Sequence, residues 1–151
     1  MKYILLLILI ALGAMLSLSL FSRKTPDNLG VADHRLSDCP DSKNCVSSQT
    51  TRKVNFIEPL PMQGTVAEVV QRLREAIEDM GGAVVETNGG YIRAEFSSSF
   101  WRFTDDLECL YSEKDGLVHV RSASRVGYFD FNANRNRLEI LGRKVTVESA
   151  Q

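Results

Sequence analysis

The sequence is poor in the residues that most often declare a chemistry. It has two histidines and three cysteines, with no tight C-x₂-C pair of the kind that opens a structural zinc site. No glycine-rich phosphate loop or nucleophile motif occurs in it either. Charge of one sign is also missing. Lys and Arg number 18 against 19 Asp and Glu, a formal net charge of −1, so the basic excess expected of a nucleic-acid partner is absent. Any anion site must then be a local cluster. With 44% hydrophobic and 25% charged residues the composition is that of an ordinary globular protein, and the length suits one domain. No cofactor and no metal is expected.

From Tyr3 to Phe21 there is no charge at all, and Ser17 and Ser19 are the polar interruptions in a run of Leu, Ile, Ala, Met and Gly. A bilayer core takes about 20 apolar residues as helix, whereas a cleavable signal has an apolar stretch of about 7–15. The run falls between the two. Ser17-Leu18-Ser19 passes as a small-x-small cleavage signal, but Leu20 and Phe21 carry the apolar run beyond it. Residues 1–22 therefore read as an uncleaved membrane anchor, the alternative being a signal peptide removed from a secreted product. Lys2 competes with Arg23, Lys24 and Arg35, and this balance slightly favours the far side staying inside. The cysteines point the other way.

Cys39 and Cys45 enclose Pro40, Asp41, Ser42 and Asn44, residues that favour tight turns through a fixed φ or side-chain-to-backbone hydrogen bonds. A turn brings the two thiols together. A disulfide here implies an oxidising compartment, so the domain is expected outside the cytoplasm, on the periplasmic side. Reduced structural thiols are the second reading, and half of a metal site completed by Cys109, His34 or His119 is the third. A redox pair would sit closer together at a helix N-terminus. Residues 23–35, polar and with Pro26 and Gly30, read as a tether, and residues 36–151 as the folded domain.

Within that domain Thr65 and Glu68 make a capping box ahead of Val66, Val69, Val70, Leu73, Ile77 and Met80, which trace one face of a helix ended by Gly81-Gly82. Val54 to Ile57 reads as a short strand. Residues 83–86 and 91–98 flank Asn88-Gly89-Gly90 as a hairpin, and 106–112 and 117–123 extend the meander. Alternation along these strands leaves the sheet one apolar and one wet face. A second helix is expected over 133–148, with Leu138, Leu141 and Val145 on its stripe and Asn134 on the same face one turn earlier. A buried asparagine there needs its amide satisfied, so it is expected to bond loop backbone. Cys109 shares a strand face with Leu107 and Tyr111 and reads as a buried thiol. His119 projects with Arg121 onto the polar face. The architecture is thus α+β: a small single domain, mainly antiparallel sheet packed by two helices, after an N-terminal hydrophobic anchor helix.

Three separated motifs, CPDSKNCVSSQ from Cys39, FTDDLE from Phe103, and RSASRVGY from Arg121 followed by DFNANRNR from Asp130, resemble the family catalogued as domain of unknown function 1499. The match runs over roughly Leu36 to Arg143. The family occurs in bacterial envelope proteins and some plastid proteins and has no assigned activity, so the resemblance implies a domain and an exported setting. Lys43 stands where the family usually has proline, and Phe131-Asn132-Ala133 where it usually has a Leu-Gly-Val type run.

Two readings of the polar residues in these motifs stay open. Asp105, Asp106, Arg121 and their neighbours can lock the RSASR loop to the sheet through an Asp–Arg pair across adjacent strands. Alternatively Arg121, Ser122, Ser124, Arg125, Asn134 and Arg135 leave donors free for a carboxylate or phosphate. Joint catalysis by Asp105 and Asp106 is disfavoured, because adjacent strand residues point to opposite faces. The function expected is a membrane-tethered envelope binding or interaction module with an anion-binding arginine loop, the alternative being a small hydrolase-like enzyme. Its expected partners are the membrane, through the N-terminal helix, and an anionic small molecule, lipid headgroup or envelope protein; nucleic acid is not among them.

Overall fold

A computed structural model describes residues 2–148, so the last three residues of the expected domain lie outside the described residues. Helix α1 (Lys2–Ser22) is followed by a small hairpin of β1 (Val31–Ala32) and β2 (Arg35–Leu36), then by β3 (Cys45–Ser47) and β4 (Leu60–Pro61). Helix α2 (Val66–Asp79), strands β5 (Ala83–Asn88), β6 (Tyr91–Ser97), β7 (Thr104–Ser112) and β8 (Leu117–Ser124), and helix α3 (Ala133–Glu148) complete the chain order. The main sheet runs β3-β8-β7-β6-β5 with every pair antiparallel, and β4 shares the outer edge of β8 with β3. This is the expected α+β domain behind an apolar helix.

Local chemistry sets the boundaries. The Thr65 side chain accepts from Glu68 N–H while the Glu68 carboxylate accepts from Thr65 N–H at 2.8 Å, which starts α2 and holds the Glu68 carboxyl below its usual pKa. Gly81, at φ 82°, turns the chain out of the helix. At Gly82 a Cβ would lie 2.5 Å from the Phe96 ring, so glycine lets β5 start directly against β6. Gly89-Gly90 then closes the hairpin with Asn88 opposite Tyr91.

One face of the sheet carries the core. Ile92 and Ala94, Leu107 and Cys109, and Val118 and Val120 meet Val69, Leu73 and Ile77 of α2 and Leu138, Leu141 and Val145 of α3. Each large aliphatic side chain fully buried there contributes roughly 1.5–3 kcal/mol. Cys109 is fully buried as expected, and burial pushes its thiol pKa up, out of the reactive range.

The opposite face differs from the wet surface that alternation suggests. Tyr91, Asp106, Glu108 and Arg121 lie on it and are only 5%, 1%, 0% and 2% exposed. The chain after α1 folds across them: Gly30 N–H donates to Glu108 at 2.8 Å, and Leu36 is buried. Asp33 and His34 turn β1 into β2 with φ of 50° and 58°, the two positive φ values of a tight hairpin turn. The Cys39–Cys45 disulfide then joins this strap to β3, and both cysteines cluster with the buried Ala123 of β8. Residues 23–35, read as a tether, thus include contacts to the sheet.

Residues 54–57 do not form the expected strand. Arg52 to Phe56 turn instead, joined to the sheet by a single bridge between Ser47 and Phe56. Asn55 is 2% exposed and donates to the Ser42 and Cys45 carbonyls. That buried amide holds the segment as a loop.

Candidate functional site

Register decides which charges meet. The four-residue turn between β7 and β8 sets Glu108 opposite Arg121 and Asp106 opposite Ala123. Arg121 Nη1 donates to Glu108 Oε2 at 2.6 Å, and Glu108 Oε1 accepts from Tyr91 Oη at 2.9 Å as well as from Gly30. Burial, and next the Glu108 charge, push the Tyr91 phenol pKa well up. Arg121 Nε finds no partner among the described residues.

Arg125 reaches further. Its Nε and Nη2 grip Asp106 at 2.7 and 2.8 Å, Nη2 also donates to Glu95 at 2.5 Å, and Nη1 donates to the carbonyls of Ser22 and Arg23 at 3.3 and 3.2 Å. The hydrogen bond to Asp106, ahead of that to Glu95, raises its pKa against the opposing effect of burial. Those carbonyls terminate α1, so the guanidinium caps the helix at the end that carries partial negative charge. Arg93 donates to Glu86, Glu95 and Asp106. Three arginines, Arg93, Arg121 and Arg125, thus face four carboxylates, Glu86, Glu95, Asp106 and Glu108, so the network has no positive charge to spare.

The remaining candidates lie elsewhere. Asn134 is fully buried: its Nδ2 donates to Asn44 O, Ser124 Oγ and Asp130, and its Oδ1 accepts from Ser122 and Arg137. Its amide is satisfied as expected, by strand hydroxyls and Asp130 as well as by one backbone carbonyl. Arg137 continues to Asp105 at 2.7 Å and covers the Phe96 ring. Arg135 donates to the carbonyls of Val54 and Phe56. Ser122, Ser124 and Asn134 therefore meet on the helix-covered face and Arg121 and Arg125 on the other, with Arg135 on a separate loop. The six do not converge on one cleft, and Asp105 and Asp106 point to opposite faces.

Sequence reasoning passed over the junction between α1 and the sheet. Ser19 and Ser22 of α1 are buried, and Ser22 Oγ accepts from Thr104 N–H at 3.4 Å. Beside them a recess of about 300 Å³ is lined by Arg23, Glu95, Ser97, Arg102, Thr104 and Arg125. Arg23 and Arg102 are exposed, and their guanidinium groups have no partner among the described residues. The only sequence hint was the position of Arg23 at the end of the apolar run.

For nucleophilic chemistry the nearest approach is Ser48 Oγ, 3.5 Å from His119 Nδ1. Ser48 already accepts from Val120 N–H, and no carboxylate bonds His119 among the described residues. No group of three His, Cys, Asp or Glu side chains is placed to hold a metal ion among the described residues.

An antiparallel sheet covered by two helices on one face and by a disulfide-joined strap on the other, with an N-terminal helix long and apolar enough to cross a membrane, defines an α+β domain carrying an apolar helix. The chain belongs to the family described as protein of unknown function (DUF1499), whose model matches residues 35–145. No curated protein and no solved structure matches the chain.

Proposed function

We propose that this is a membrane-tethered binding module held outside the cytoplasm, which takes an anionic group in the recess between α1 and the sheet. The observation that carries the reading is the pair Arg23 and Arg102, two guanidinium groups on the wall of one recess that have no partner among the described residues. Arg121 and Arg125, the arginines that the sequence offers first, are committed to carboxylates, and of the two Arg125 lines the recess. The disulfide supports the compartment, since such bonds persist where the surroundings are oxidising. The hydrolase alternative has only the long Ser48–His119 approach in its favour.

Titration of the full chain in neutral detergent micelles with inorganic phosphate, followed by amide chemical shifts, tests the site. Saturable changes are expected at Ser97, Arg102 and Thr104. A charge-assisted hydrogen bond on an exposed side chain is worth about 1 kcal/mol, so Arg102→Gln should weaken binding about fivefold. Absence of a saturable response, or unchanged affinity in both Arg102→Gln and Arg23→Gln, overturns the reading.

A further inference from the structure

Half of the twelve aromatic residues of the chain crowd into two loops. Phe100, Trp101 and Phe103 lie between β6 and β7, and Tyr128, Phe129 and Phe131 between β8 and α3. Both loops leave the same end of the sheet, the end at which α1 docks through Ser22 and Thr104. Their tips are not folded inward: Phe100 is 82% and Phe131 85% exposed, with Tyr128 and Phe129 also exposed. Backbone strain accompanies that exposure. Arg102, Phe131 and Asn132 hold φ of 57°, 54° and 64°, and a bulky Phe is a poor occupant of that left-handed region. Phe131 meets Phe129 edge to face at 5.1 Å, but most of its ring stays exposed, so little apolar burial within the domain offsets the strain.

Between the loops and the helix runs an apolar groove of about 420 Å³ whose walls include Met15 and Leu18 of α1 with Phe103, Val126, Phe129 and Phe131. The groove fixes a depth. The charge-free run from Tyr3 to Phe21 measures about 28 Å as helix at 1.5 Å per residue, and a hydrocarbon core of about 30 Å consumes all of it. Leu18 and Met15 then lie roughly 5–9 Å inside its outer end. Side chains that share a groove with them lie at the boundary between acyl chains and headgroups. Arg23 and Lys24 follow just beyond, and Arg102 shares the polar recess with Arg23, so positive charge sits at headgroup height while aromatic rings sit below it.

We propose that loops 98–103 and 126–132 insert into the outer-leaflet interface beside α1, and that this membrane surface, not a partner protein, covers the aromatic groove. The domain rides against the bilayer. Continuity of the groove with the lipid-facing surface of α1 selects that occupant, and the inference rests on reading α1 as a membrane span.

Trp101 is the single tryptophan of the chain, which makes it a site-specific depth probe. The full chain is reconstituted into phosphatidylcholine vesicles, with and without an anionic lipid, using acyl chains brominated near the headgroup or near the terminal methyl. Trp101 emission is expected to shift to the blue relative to protein in aqueous buffer after proteolytic release from the vesicle, to be quenched by the shallow bromines more than the deep ones, and to be shielded from aqueous iodide. The variant Phe100→Ser/Phe131→Ser is expected to lose shallow quenching. Iodide quenching of Trp101 without bromolipid quenching overturns the proposal, as would a protein partner shielding Trp101 from iodide while bromolipids stay silent. A Leu9→Trp/Trp101→Phe chain separates the two premises. If Trp at position 9 is quenched by deep bromines and Trp101 by none, the anchor stands and the loop insertion falls; if neither is quenched, both fall.

Discussion

Replacing Arg125 by methionine removes five side-chain hydrogen bonds that join the sheet to the end of α1. The side chain is 2% exposed and Asp106 is 1% exposed, and the two share a bidentate pair at 2.7 and 2.8 Å. Removing one member of a buried pair typically costs 3–5 kcal/mol, because the other charge is left without compensation. Here Asp106 keeps one longer contact to Arg93 at 3.3 Å, and Glu95 is partly solvated at 30% exposure. Both soften the loss, so about 3 kcal/mol is expected, a fall in Tm of roughly 10 °C for a domain of this size. Asp106→Asn should cost less, since Arg125 retains Glu95 and the carbonyls of Ser22 and Arg23. Thermal unfolding of the wild type, both single variants and the double variant in the same detergent gives the cycle, and a coupling of about 2 kcal/mol is expected between positions in direct contact. A Tm drop below about 2 °C for Arg125→Met, or a coupling below about 0.5 kcal/mol, would refute a structural role for this arginine.

The disulfide closes a short loop, for which chain entropy gives about 2 kcal/mol; Cys39→Ser should lower Tm accordingly, and thiol titration of wild type unfolded without reductant should find Cys109 alone. Three titratable thiols would remove the support for an exported domain. His119, beside Ser48 and facing Arg35 and Asp115, has its pKa lowered first by burial and next by the Arg35 charge, with Asp115 opposing. The unfolded state therefore binds the proton more readily, and the stability His119 contributes is present above about pH 6.5 and lost as pH falls through the lower folded-state value. His119→Gln should show a smaller fall in Tm between about pH 7 and pH 5 than wild type; an equal or larger fall would contradict the shift.

What the sequence discloses here is whatever a short window can hold. The Thr65/Glu68 box, the apolar stripe of α2 and the Gly-Gly turn are complete within their own segments, and each boundary falls where they place it. Strand alternation also sorts faces correctly, with Cys109 inward and Arg121 outward. It cannot say what lies over the outer face. The polar pattern of Arg93, Glu95, Asp106, Glu108 and Arg121 is the same whether water or chain covers it, and here residues near Gly30 do so from 78 positions away. Pairing of charges is hidden for a related reason: Glu108 meets Arg121 only because a four-residue turn sets that register, and Arg125 leaves the ladder to find Asp106. Val54 to Ile57 mimics a strand by composition, while the buried Asn55 amide, whose partners are distant in sequence, settles it as a loop.

The manner in which α1 meets the sheet decides whether the domain can have a fixed relation to a membrane. A helix joined through a free linker would let the aromatic loops face any direction, and their exposure would then carry no depth. Instead Ser19 and Ser22 are buried, with Met15 on the same helical face half buried, and Arg125 ties the terminal carbonyls of the helix to Asp106 and Glu95 of the sheet. Cutting the helix away after Ser19 would leave the Ser22 and Arg23 carbonyls in place but remove the aligned dipoles that favour a cation there. The arginine would keep its carboxylates and lose the helix end it caps, and the groove wall formed by Met15 and Leu18 would be gone. An anchor retained in the mature protein is therefore the condition under which both the helix end capped by Arg125 and the apolar groove are complete.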